Sequence, residues 1–381
     1  MPGSICPARY RERVGGDGDD LGEIRRWFRE FAHTAAPRAP LYARLSAAIA
    51  DHPPTARLLL RAPITQRQSV LLFACVHWLL LTRPELEGNE PLRRHYPNLV
   101  EPNLVERADG DDPWPAFRDF CAANSPLLAD LLTRRSTQTN EIGRCAVFVP
   151  VLAGVAAEVG PLGHLDMGAS GGLNLLLDRY RYQYRDGHGS LHEVGPAGSP
   201  VTLECGVRGA MAMPRHIPVI ADRLGLDRDP IDVTDAGAAD WLRACVWPDQ
   251  ADRFERLTAA IELARSSPPR IVRGDVVDDL ADTVERLDPG THPTLTTSWV
   301  LNSLEAARQG AFVDQLDRLG TARDLTWCAA ESPLQTPGLP WPDHVSDRDL
   351  THVLRAEWRN GHRTVHHLAT SHPHGYWLHW S

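Results

Sequence analysis

Residues His164-Leu165-Asp166-Met167-Gly168-Ala169-Ser170-Gly171-Gly172-Leu173-Asn174 read as D-x-G-x-S-x-G and join an apolar stretch to a helical one. Small residues at 168, 170 and 172 let the backbone turn sharply and approach a ligand, and the start of the following helix offers free N–H groups. Such a turn holds the pyrophosphate of a dinucleotide, or packs the methionine and ribose of S-adenosylmethionine. It is equally the tight turn of any doubly wound protein. Two acids sharpen the choice. Asp227 closes Gly225-Leu226-Asp227, where a carboxylate accepts from both ribose hydroxyls, and Asp275 follows Arg273-Gly274, where one accepts from an adenine amino group. Taken singly, each acid is more simply a helix N-cap. Together, three strand ends carrying a Gly-rich loop, an acid and an acid match the ligand edge of an open α/β sheet.

Gln138-Thr139-Asn140-Glu141, near Arg134, Arg135 and Arg144, sets four polar side chains around one helical turn, so some must face inward and find partners. The segment is either a helix cap or interdomain ion pair, or a lid touching ligand; Glu141 and Arg144, three apart, would pair on one side. Seven histidines crowd the end of the chain: His352, His362, His366, His367, His372, His374 and His379. His372 and His374 share a strand face. Without an acid or cysteine at ligand spacing they read as a base or substrate contact and not as a metal site.

These groups need elements to position them. The 381 residues allow two domains or one large one, with 43% hydrophobic and 23% charged content, which excludes a disordered or fibrous chain. Forty basic residues, every one Arg, stand against forty-nine acids for a net charge of -9, the wrong sign for holding nucleic acid by its phosphates. With no Lys, Schiff-base and Walker-type chemistry is excluded. Seven cysteines (Cys6, Cys75, Cys121, Cys145, Cys205, Cys245, Cys328), odd in number and widely spaced, suggest reduced thiols in a cytoplasmic protein. The first twenty residues lack a signal-peptide layout. The apolar run Val70–Leu81 is short for a bilayer span and reads as a buried helix.

Residues 1–20 are rich in Gly and Asp, a composition that frays. From Leu21 to about Gly160 the spacing is helical, as in Ile24, Trp27, Phe28 and Phe31, punctuated by Pro53-Pro54, Pro63, Pro84 and the cluster Asp109–Pro115. A helix starts after Asn124-Ser125-Pro126, and another is expected over Thr139–Val149, ahead of Pro150. Beyond Leu162 apolar and helical stretches alternate, which predicts a layered α/β domain. Its strands are expected at Gly163–Met167, Val219–Leu226, Arg270–Arg273, Thr294–Trp299 and Leu325–Ala330, with helices at Gly172–Tyr182, Trp241–Ser266, Val276–Leu287 and Ala306–Leu319. Thr351–Glu357 and Thr364–Ala369 around Asn360-Gly361 predict a hairpin whose second strand Gly375–Trp380 extends.

From about 162 onward the sequence resembles class I S-adenosylmethionine-dependent methyltransferases, including the C-terminal hairpin. More closely it is similar to the bacterial domain-of-unknown-function 2332 family. That likeness runs through Gln138-Thr139-Asn140-Glu141 with Arg144, Gly168–Asn174 and Asp178-Arg179-Tyr180. It continues in Trp241-Leu242-Arg243, Val246-Trp247-Pro248 and His372-Pro373-His374-Gly375. It implies an N-terminal helical cap domain (1–155) over the cofactor face of a Rossmann-like methyltransferase-type domain (156–381). An insertion falls at about 185–213, an excursion with a short strand expected at Val201–Glu204. The methyltransferase resemblance further implies S-adenosylmethionine as cofactor and a small-molecule substrate, while the net charge and the short apolar run speak against a nucleic-acid or membrane partner. Asp166, Gly168, Ser170 and Gly172 would hold the methionine end, and Asp227 and Asp275 the ribose and adenine. Gln138, Asn140, Glu141, Arg144, Trp299 and Asn302 would meet substrate, with Glu331, His372 or His374 as base. Two departures stand out. Sixty-odd residues separate Asp166 from Asp227, so Glu204 is an alternative ribose acid; and Ser170 replaces a glycine, tolerable at negative φ. A non-catalytic nucleotide or S-adenosylmethionine binding module, acting as a sensor or partner subunit, is the alternative function, and a nicotinamide oxidoreductase a third.

Overall fold

A computed structural model describes residues 17–100 and 111–381. Cys6, most of the Gly/Asp-rich start and the first residues of the Asp109–Pro115 cluster lie outside the described residues. The chain divides into two compact units, Met1–Thr139 with Thr234–Thr258, and Asn140–Val233 with Ala259–Ser381.

The first unit is helical. Asp17–Ala35, Pro40–Ala50, Ser69–Thr82, Trp114–Ala123 and Ser125–Arg134 are joined by Ala236–Ala244, a stretch the sequence reading assigned to the second domain. Ser69–Thr82 is apolar all round and buried, as a core helix must be. Aromatic rings fill the centre: Tyr42 stacks on Phe73 at 4.2 Å, and Phe28 meets Phe73 edge-on at 6.1 Å. Instead of one helix over 241–266, two form, Ala236–Ala244 and Ala251–Ser266. Pro248 between them cannot donate to a continuing helix.

Among its described residues the second unit builds one eleven-stranded mixed sheet. The strands are β1 (Leu162–Met167), β2 (Arg181–Arg185), β3 (Leu191–Val194), β4 (Thr202–Arg208), β5 (Ile220–Asp227) and β6 (Ile271–Arg273), then β7 (His292–Ser298), β8 (Leu325–Glu331), β9 (Thr351–Arg359), β10 (His362–Ser371) and β11 (Trp377–Trp380). Their order is β3-β2-β4-β11-β10-β9-β8-β7-β1-β5-β6. The five expected parallel strands are present within one or two residues of their expected ends. β1 is buried at every position, as a strand covered on both faces should be. Leu165, Leu295 and Trp327 pack under one face with Phe312 and Leu316; burying each leucine contributes about 2 kcal/mol. Asn360 and Gly361, both at positive φ, make the expected hairpin turn.

Four expectations are corrected. The stretch after the Gly-rich loop is a 3-10 turn, Leu173–Arg179, followed by β2, and not a helix to Tyr182. The insertion is no separate excursion: β2, β3 and β4 extend the same sheet. Gly375–Trp380 does not lengthen the hairpin strand; β11 turns back antiparallel to β10 and lies parallel to β4, joining the two halves. The helix expected to stop before Pro150 runs from Cys145 through it to Val159. Pro150 has no N–H for the Ala146 carbonyl, and the Tyr184 hydroxyl donates to that oxygen instead at 3.0 Å. The apolar segment Ile142–Val159 is long enough to cross a membrane by length and composition, but most of it is buried within the fold.

Candidate functional site

The carboxyl ends of β1, β5, β7 and β8 lie side by side, and the order of strands reverses between β1 and β7. In open parallel sheets the crevice at such a reversal is where ligands sit. The acids picked from sequence stand here. Asp166, on β1, is 4% exposed. Its Oδ1 accepts from the Thr296 hydroxyl at 2.9 Å, while Oδ2 is buried without a partner. Burial raises its pKa to about 7; the Thr296 bond and the Arg144 charge oppose that rise, and Asp227 adds to it. Glu331, closing β8, is fully buried. Its Oε1 accepts from Val300 and Leu301 N–H at 3.1 and 3.3 Å, and its Oε2 has no partner. Burial lifts it to about 7 as well, against those N–H groups and Arg144.

The Gly-rich loop is closed by the chain itself. Gly168 and Ala169 N–H donate to the Leu226 carbonyl, Gly172 N–H to Ala169, and Ser170 N–H to Asp227 Oδ2 at 2.7 Å. Gly171 and Leu173 N–H both donate to Asn140 Oδ1, at 3.1 and 3.2 Å. The free N–H groups expected from sequence are therefore taken, and Asn140 acts as the cap of this turn. Gly168 is required by packing as well as by its φ of 73°, since a Cβ there would collide with Val300. Ser170 does not sit at negative φ: it lies at 52°, in the left-handed region, and Trp299 at the end of β7 lies at 55°. For non-glycine residues both positions are strained, and such strain gathers at functional sites.

Asp227 ends β5 beside the loop, its Oδ1 also accepting from Asp229 N–H at 2.8 Å. Glu204 is exposed on β4, which pairs with β2 and β11, so the strand beside β1 supplies Asp227 and not Glu204. Asp275 is committed to ion pairs with Arg228 at 2.8 Å and Arg308 at 2.7 Å. Burial works against its ionisation, but the Val277 N–H and the Arg228 guanidinium outweigh it and hold the carboxyl below its usual value.

Two segments flagged separately in sequence form one clasp. Arg144 donates to the carbonyls of Pro373 at 2.9 Å and Ser298 at 2.8 Å. Glu141, 4% exposed, accepts from Gly143 N–H and lies 3.1 Å from His374 Nδ1. Gly143 and Gly375 approach backbone to backbone, leaving no room for a Cβ on either. The Nδ1 of His372 accepts from His374 N–H. Trp299 donates from its indole to Thr351 Oγ1, and Asn302 from its amide to Gln335. Gln138 falls in the first unit, half-buried. Among the described residues no group of three His, Cys, Asp or Glu is placed to hold a metal ion.

Sequence reasoning gave no role to Thr296 or His164, although Thr296 touches Asp166 and His164 Nε2 lies 2.9 Å from the Thr296 hydroxyl. The available signal was polarity inside strands whose burial pattern should be apolar.

No curated protein and no solved structure matches the chain. The model of a family described as an uncharacterized protein conserved in bacteria (DUF2332) matches residues 25–380, and with that span the chain belongs to this family.

Proposed function

We propose that the second unit binds S-adenosylmethionine at the carboxyl ends of β1, β5 and β6 and directs its methyl group to a small molecule. The run β6-β5-β1-β7-β8 follows a doubly wound, Rossmann-like order, which supports the reading. The observation that carries it is the chemistry of this edge. The loop's backbone donors are consumed, and carboxylate acceptors remain: Asp166, Asp227 and Glu331. A dinucleotide would bring a pyrophosphate to acids without donors. S-adenosylmethionine brings an ammonium, a sulfonium and a ribose diol, all suited to acids.

The buried, unpartnered Oδ2 of Asp166 fits an ammonium. Asp227 keeps lone pairs for ribose hydroxyls. Gly168, Ser170 and Gly172 shape the turn, and Asp275 acts at one remove through Arg228 and Arg308. When bound, the cofactor supplies a methyl group already activated on sulfur. The protein then has to orient the acceptor, exclude water and move a proton. Glu331, poised near neutrality, accepts that proton from the acceptor; His374, held by Glu141, is the second candidate base. Arg144, Asn140, Glu141, Trp299 and Asn302 frame the acceptor side.

Thermal-shift titration tests this. S-adenosylhomocysteine should raise the melting temperature, since ligand at about 100 times its Kd stabilises by about 2.7 kcal/mol, and NAD should not. A shift with NAD alone overturns the proposal. Binding without turnover across an acceptor panel leaves the sensor reading.

A further inference from the structure

The site's least expected feature lies behind it, across β1 and β7. His164 Nε2 lies 2.9 Å from the Thr296 hydroxyl oxygen, which lies 2.9 Å from Asp166 Oδ1. The three residues are 1%, 2% and 4% exposed. A hydroxyl carries one proton, so the two contacts cannot both receive it. When Asp166 is ionised, Thr296 must donate to it, and His164 must donate from Nε2–H. When Asp166 carries a proton on Oδ1, it donates to Thr296, whose own proton turns toward His164 Nε2, and the ring must then hold its proton on Nδ1.

We infer that His164, Thr296 and Asp166 form a two-state proton relay in which the charge of Asp166 sets the tautomer of a neutral His164. His164 is thus a positioning residue acting through Thr296. In the ionised state its Nε2–H forces the Thr296 proton onto Oδ1 and leaves Oδ2 as the acceptor for a ligand. No net charge moves beyond the single proton that Asp166 gains or loses. That proton exchanges with solvent, and the ring keeps one proton in both states, giving it up at Nε2 and taking one up at Nδ1 by exchange with solvent as the fold transiently opens. The charged and titratable groups facing the relay are Arg144, Cys145 and Asp227 around Asp166, and Arg223 and Asp178 around His164. Arg223 is held by Asp178 through two 2.7 Å bonds, which keeps its charge fixed while the relay switches. Burial pulls His164 down to about 4, so the ring stays neutral while Asp166 titrates at about 7. The relay rests on the contacts of His164, Thr296 and Asp166 across β1 and β7; only its use in ligand binding rests on the proposed function.

Long-range proton–nitrogen spectra of the full chain labelled with 15N-histidine, taken from about pH 5.5 to 8.5, read the tautomer directly. The His164 signals are assigned by their loss in His164→Gln. The expected result is a neutral ring that changes from Nδ1–H to Nε2–H as pH rises, with one midpoint shared with the Asp166 carboxyl carbon. Thr296→Val should abolish the change. If that variant does not fold, Asp166→Asn, which does not titrate, should hold His164 in a single tautomer throughout. A tautomer that is the same at both ends, an imidazolium within the range, or a switch that survives either variant overturns the relay. Loss of S-adenosylhomocysteine binding with the switch intact would count against the proposed function alone.

Discussion

Two parts of the same sheet treat buried polar groups in opposite ways. On the outer wing, Tyr180, Tyr182 and Tyr184 alternate inward along the start of β2, all fully buried. Each hydroxyl is satisfied: Tyr180 donates to Leu173 O at 2.7 Å, Tyr182 to Leu177 O at 2.5 Å, and Tyr184 to Ala146 O at 3.0 Å. Those carbonyls belong to the 3-10 turn and to the helix that Pro150 interrupts. At the carboxyl edge of β1 and β8, by contrast, Asp166 and Glu331 each keep one buried oxygen without a partner. The outer wing pairs its tyrosine hydroxyls, whereas the half-paired acids stand together at the strand ends, where an open parallel sheet takes its ligands.

The comparison is most easily broken at the clasp. Gly375→Ala puts a Cβ at positive φ against the Gly143 backbone, and should cost more than about 3 kcal/mol in urea unfolding. A neutral result would mean that the two segments are not held together. Next come the acids. Their folded pKa values of about 7 lie above their ordinary ones, so the folded state binds protons more readily than the unfolded one. Stability attached to them is complete below about pH 4, falls as pH rises to about 7 and is level above it, by on the order of a few kcal/mol. Asp166→Asn and Glu331→Gln should each remove part of that fall, gaining on wild type between pH 5 and pH 8. Buried His77 and His164, both lowered to about 4, act in the opposite sense between about pH 4 and 6.5, within the same window, so each variant must be compared with wild type at the same pH.

A tyrosine should behave unlike the acids. Tyr184→Phe leaves the Ala146 carbonyl without a donor and should cost about 1–2 kcal/mol equally at both pH values. The smallest change is Ser170→Gly, which relieves a φ of 52° and should stabilise by about 1 kcal/mol in thermal unfolding.

The central parallel strands were legible because buried strands read as short apolar runs, and Asn360-Gly361 announced its hairpin. Asp166, Asp227 and Glu331 were legible as acids at strand ends. β2 and β3 were not, and β4 and β11 were legible as short strands but not in their place in the sheet, because the pairing that joins those two meets residues far apart in the chain, as Trp377 with Gly206. The clasp joins Glu141 to His374 over a similar gap. Nor does strand alternation say which polar residue meets which across a pair, so the contacts among His164, Thr296 and Asp166 emerge only once β1 and β7 are in register.

Calorimetric titration of the full chain with S-adenosylhomocysteine tests the central claim most directly. The account predicts a single site at about micromolar Kd, weakened at least about tenfold by Asp227→Ala, a loss of about 1.4 kcal/mol. No binding heat, or equal affinity in that variant, would contradict it.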